Sequence, residues 1–290
     1  MKNGKIVLFL SGLIIVLAAV AAGYGLFSVG GTGKHMFTSV RGEQVAIDGS
    51  GLYRYDSVSM AAQARGQDGV TLFLGIPLLA VSAALAIKGS FRGRLLLVGT
   101  LGYFLYTYMS YSFLSYNALF LVYVALMSLS LFAFILTMAS FDYSLVSGRF
   151  KPGLPVRVIG AYLLFIAFAV AMLWLGKIAG SLASGAPPQG LEHYSTMVIQ
   201  AMDLGILVPV SVMAGVMLIR RKPLGYLLAS VVIVKTMTLL TSISAMLAAM
   251  IRAGVHVSPV EMVLFPAFNI GMICCMAVML KNVRREGESP

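Results

Sequence analysis

Apolar residues in this chain fall in long runs, and the breaks between runs are basic or rich in Gly and Pro. A bilayer's hydrocarbon core is about 30 Å thick and takes roughly 20 residues of helix to cross. Runs of that length, bounded by charged or turn-forming residues, therefore read as membrane spans. Eight are expected, at 6–28, 70–87, 95–112, 117–139, 156–179, 196–219, 224–251 and 259–280. The fold class expected is all-α, a polytopic membrane helix bundle of eight transmembrane helices.

Between the first two runs lies a stretch rich in glycine and polar residues, 29–69. Within it SVRGEQVAIDGSG alternates like a short hairpin, and YRYDSVSMAAQAR reads as a helix with Asp56 as its N-cap. Tyr53 and Tyr55 suit the headgroup level. About forty residues are too few for an independent core, so this stretch is expected to lie on the helices as a cap. The organisation expected is a first helix at 1–28, an extracytoplasmic cap at 29–69, helices two to four at 70–139, a cytoplasmic loop at 140–155, helices five to eight at 156–281 and a cytoplasmic tail at 282–290. The first apolar run exceeds the length of a signal-peptide core and reads as a retained, signal-anchor-like helix.

Composition agrees with spans and adds orientation. The chain is 59% hydrophobic and 11% charged, with a mean hydropathy of +0.93, which leaves too little charged surface for a water-soluble domain. With the N-terminus inside, fourteen Lys and Arg fall in the inner segments and six outside, the pattern of a cell (inner or plasma) membrane protein with both termini cytoplasmic. The formal charge of +11 then lies mostly against the lipid surface, so the basic balance points to the bilayer and not to nucleic acid. Cys274 and Cys275 are adjacent and read as packing residues. His35, His193 and His256 fall in outer segments without metal-ligand spacing, and no P-loop, GxSxG, HExxH or CxxC occurs. Neither metal nor cofactor is expected.

A gapless shift of 132 residues places Pro77 on Pro209, Lys88 on Arg220, Gly93 on Gly225, Ser110 on Ser242, Tyr103 on Lys235 and Asp68 on Gln200. Such a shift is what a parallel 4+4 repeat would leave, and symmetry would put a site between the halves.

The candidate chemistry centres on Lys235, a cation inside ASVVIVKTMTLLTS. A lysine at the centre of a span costs about 2.5–3.5 kcal/mol to insert and needs a partner or water. Asp203, sharing a face with Gln200 on the preceding helix, is the partner expected by depth, although Lys235 should lie about 8–10 Å deeper. The expected ligand-binding set is Gln200, Asp203, Lys235 and Thr238, with Tyr103 and Tyr106 from the third helix and Glu261 and Asn269 from the eighth. Two readings stand beside it: Lys235 and Asp203 as a packing pair, and Glu261 as a first-turn acid. The remaining tyrosines near the outer third-to-fourth turn read as an aromatic belt, and Arg65, Gln67 and Asp68 as a polar collar.

The segments GQDGVTLFLGIPLL, FRGRLLLVGTLGYFLYTYMSY and QAMDLGILVPVSVMAGVMLIRRKPLGYLLA resemble those of a broad group of uncharacterised prokaryotic multi-pass membrane proteins. The resemblance runs from about Gly51 to the eighth helix and implies the architecture only. The function expected is transport or binding of a small molecule or ion through an outward-facing intramembrane polar cavity. The alternatives are a membrane-embedded enzyme acting on a lipid or isoprenoid, with Asp203 or Glu261 as acid/base, and a non-catalytic sensor or assembly subunit.

Overall fold

The structure is a computed structural model that describes residues 3–284. Most of the expected tail at 282–290, with Glu286 and Glu288, lies outside the described residues. Among the described residues the chain forms eight long helices: α1 (Gly4–Phe27), α2 (Val58–Ile87), α3 (Phe91–Phe113), α4 (Phe120–Met138), α5 (Val156–Ser184), α6 (Val198–Ile219), α7 (Pro223–Arg252) and α8 (Pro259–Lys281). Seven of them are long and apolar enough to cross a membrane. The eighth, α3, is not apolar enough by composition, because four tyrosines and several glycines, serines and threonines dilute its leucines. It can carry that load because 15 of its 23 residues are buried, between α2, α4 and α7. Long helices that face lipid must be apolar outside; a helix enclosed by others need not be.

The helices fall into two groups with separate apolar cores. One is built mainly on α1 to α4, the other on α5 to α8 and the N-terminal end of α3. They meet where α7 packs against α2 and crosses α3. Gly99 makes that crossing close: a Cβ there would lie 2.4 Å from Val234 Cβ.

Both α2 and α6 contain a single π turn, Thr71–Gly75 and Asp203–Leu207. In each a proline follows, Pro77 or Pro209, and proline supplies no N–H to the turn below it. The helix accommodates this by widening just before the ring, so that Ile76 N–H donates to Thr71 O and Val208 N–H to Asp203 O. Thr71 and Asp203 are 132 residues apart, the same spacing as the two prolines. A Cβ on Gly93 would lie 2.5 Å from Leu85 Cβ, and one on Gly225 would lie 2.4 Å from Met217 C, again 132 residues on.

The expected start of the second helix is moved. Instead of a separate cap helix followed by a span at 70, α2 is continuous from Val58, and its N-cap is Ser57, whose Oγ accepts from Met60 N–H at 3.1 Å. Asp56, expected as the cap, instead accepts from the Tyr194 hydroxyl at 2.8 Å. The helix continues because Ala61, Ala62 and Ala64 let its first turns pack tightly within the bundle.

The rest of 29–69 is a hairpin of β1 (His35–Thr38) and β2 (Gln44–Ile47), antiparallel, with His35 opposite Ile47. It clamps the α5–α6 connection: Arg41 donates to Glu192 O at 3.0 Å and to Tyr194 O, and His193 Nε2 lies 3.1 Å from Tyr55 O. Burial pushes the Asp56 carboxyl up, with the Tyr194 hydroxyl opposing it, and burial likewise pushes up Glu192. On the opposite face, the 140–155 connection meets the chain's last described residues through an isolated bridge between Phe150 and Val283.

Candidate functional site

Lys235 sits midway along α7, 8% exposed, with its stem running across Gly102 of α3. Its Nζ has no hydrogen-bond partner among the described residues and lies 3.7 Å from the centroid of the Tyr106 ring. A cation over an aromatic face gains about 2 kcal/mol when desolvated, which leaves the ammonium's three donors unmet.

Asp203 opens the π turn of α6 and is 7% exposed. Its Oδ1 accepts from Tyr106 OH at 2.6 Å and its Oδ2 from Trp174 Nε1 at 2.8 Å. The expected direct pair with Lys235 is not formed. The one ion pair within 4.0 Å among the described residues is Arg65–Asp48, at 2.7 Å. Tyr106 is the physical reason: it addresses Asp203 with its hydroxyl and Lys235 with its face, so the two charges communicate through one side chain. Both charged groups are enclosed within the bundle.

The other predicted residues divide. Tyr103 bonds Thr71 Oγ1 at 2.8 Å and Ser242 Oγ at 3.1 Å, about two helical turns along α7 from Lys235. Thr238 turns back to its own helix, donating to Val234 O at 2.9 Å, the usual habit of a buried helical threonine. Gln200 is half-buried and makes no side-chain hydrogen bond among the described residues. Glu261 completes a capping box with Ser258, so it serves its own helix end. Asn269 donates to Thr241 Oγ1 at 3.0 Å, on the α7–α8 seam.

Two features escaped the sequence reading. Trp174, the chain's only tryptophan, supplies half of Asp203's hydrogen bonding; its signal was a lone indole three residues before Lys177 on one helix face. The second is Asp68. Instead of joining a polar collar it is 2% exposed and accepts from the hydroxyls of Tyr53 and Tyr111. Beside it Gln67 Nε2 donates to Thr107 Oγ1 at 2.7 Å. The expected aromatic belt is therefore corrected: Tyr108 and Tyr111 are buried, and only Tyr116 of that group is exposed. Tyr111 has partners for its hydroxyl there, whereas the Tyr108 hydroxyl is buried without a hydrogen-bond partner among the described residues.

The fold and this centre define a polytopic helical membrane protein with charged groups held inside the bundle. In comparisons with known proteins, no family model, no curated protein and no solved structure matches the chain.

Proposed function

We propose that this is an eight-span cell-membrane protein, with both termini cytoplasmic and its helices in a parallel 4+4 arrangement, that binds and moves a small molecule or ion through the centre at Asp203, Tyr106 and Lys235. The observation carrying the reading is the Lys235 ammonium, enclosed and without a hydrogen-bond partner among the described residues. Ionisable groups inside spans are costly and mark ion or substrate paths. A packing lysine would be expected to find its carboxylate; this one keeps its donors free for an anionic group. The matched π turns and prolines of α2 and α6 support the repeat and supply widened backbone on which the enclosed centre opens outward in a second conformation. Glu261's engagement in its helix cap weighs against an acid/base role there.

The test is a thermal-shift titration of the purified chain with sodium chloride, nitrate, acetate and hexanoate. A bound anion raises the midpoint in proportion to the logarithm of its concentration over Kd. At least one salt is expected to raise the midpoint above the rise common to all, and Lys235→Met is expected to abolish that excess. Identical salt responses in the two proteins would refute the reading.

A further inference from the structure

Near its cap-side end α5 carries Lys177, whose Nζ lies 5.3 Å from the Trp174 ring centroid. Trp174 donates to Asp203, Asp203 accepts from Tyr106, and the Tyr106 ring lies under Lys235. Five side chains from four helices thus form one line: cation, aromatic, anion, aromatic, cation. The inner end is sealed. The outer end opens, because Lys177 lines a cleft of about 580 Å³ together with Met172, Leu173, Gly176, Ser181 and Gln189.

We propose that this cleft is where an anionic amphiphile, a single negatively charged headgroup on an apolar chain, is first held before the polar centre. The proposal rests on the reading of that centre as solute-handling, and it names the class of solute. The cleft's chemistry selects the class. Lys177 is the only charged side chain lining it and makes no ion pair or hydrogen bond among the described residues. A cationic group is repelled there, and an anionic one finds a free ammonium. Met172 and Leu173 offer an apolar wall that a fully hydrated anion cannot use. Leu175 and Leu182, 45% and 79% exposed, add hydrocarbon surface to the same helix. The cleft's size lies within the roughly 300–1,000 Å³ usual for small-molecule sites. Trp174 is the partition: its ring meets Lys177 on one side, and its indole N–H holds Asp203 on the other.

Because Trp174 is the only tryptophan, its emission reports this site alone. The full chain, in nanodiscs of phosphatidylcholine, is titrated with brominated stearic acid, brominated phosphatidylglycerol or brominated phosphatidylcholine, bromine being a contact quencher. At least one anionic probe is expected to reach half-quenching at about fivefold lower mole fraction than brominated phosphatidylcholine, the factor one lysine near a membrane surface contributes. Stearate alone identifies a free carboxylate, phosphatidylglycerol alone a lipid phosphate, and both together the shared headgroup charge. Lys177→Met is expected to erase the preference and Lys177→Arg to keep it. Lys235→Met is expected to leave it unchanged, which separates this site from the transport reading. If Lys235→Met has no effect on the salt panel but the quenching preference depends on Lys177, the cleft stands and the transport reading falls. Equal quenching by all three probes, or a preference that survives Lys177→Met, would overturn the proposal.

Discussion

The Tyr106 hydroxyl donates to Asp203 Oδ1 at 2.6 Å while the face of the same ring lies 3.7 Å from Lys235 Nζ. One residue of the buried helix α3 therefore ties α6 to α7. The two charges are neither fused into an ion pair nor independent.

Truncating that residue in two steps separates its roles. Tyr106→Phe removes the donor to a charged group, a loss of about 1.5–3 kcal/mol. Tyr106→Leu also removes the aromatic face, for about a further 0.5–2 kcal/mol. Thermal midpoints are expected to fall in the order wild type, Phe, Leu. Equal midpoints for Phe and Leu would mean that the ring does nothing for the ammonium.

Asp68 is held by two hydroxyls, from Tyr53 ahead of α2 and from Tyr111 on α3. Tyr53→Phe and Tyr111→Phe are each expected to cost about 1–3 kcal/mol, since each leaves a buried carboxyl with fewer donors. The double variant should depart from the sum of the singles, because both act on one group. Strict additivity in denaturation midpoints would argue that the two tyrosines do not share Asp68.

The cap has an acid limit set by Asp48 and Arg65, 2.7 Å apart. Burial raises the Asp48 carboxyl, but the Arg65 hydrogen bonds and charge outweigh it, and its pKa ends below the usual value of 3.8. A depressed folded pKa stabilises above the unfolded value, and that stability is lost as pH falls below about 3.8 and through the folded value. Hydrogen exchange in the hairpin is expected to be slow at about pH 5 and to quicken below about pH 3.5, after correction for the intrinsic pH dependence. An Asp48→Asn protein should show no such step. A step of equal size in that variant would assign the limit to another group.

The spans were legible because run length against bilayer thickness is a strong constraint. The exception was α3, where length pointed to a span and composition falls short, a difference that arises because its partners are protein. Lys235 and Asp203 were legible as unusual, since charge inside apolar helix stands out in any sequence. Their separation was not, because it depends on a tyrosine from a helix more than ninety residues away from Asp203 in the chain. Asp68 was misread for a related reason: polar residues at 65–68 precede the apolar run, and nothing local reveals that α2 enters the bundle well before it turns apolar.

The most direct measurement is the thermal midpoint of Lys235→Met without added anion. An ammonium kept for a solute gains about 2 kcal/mol from the Tyr106 face, but with its three donors unmet it carries a desolvation cost at least as large, so an apolar side chain of similar length should give a midpoint equal to or above that of the wild type. A lysine whose purpose is to pair within the bundle would leave a buried charge behind when removed, costing about 3–5 kcal/mol, or a fall of roughly 6 °C or more. A fall of that size would contradict the account.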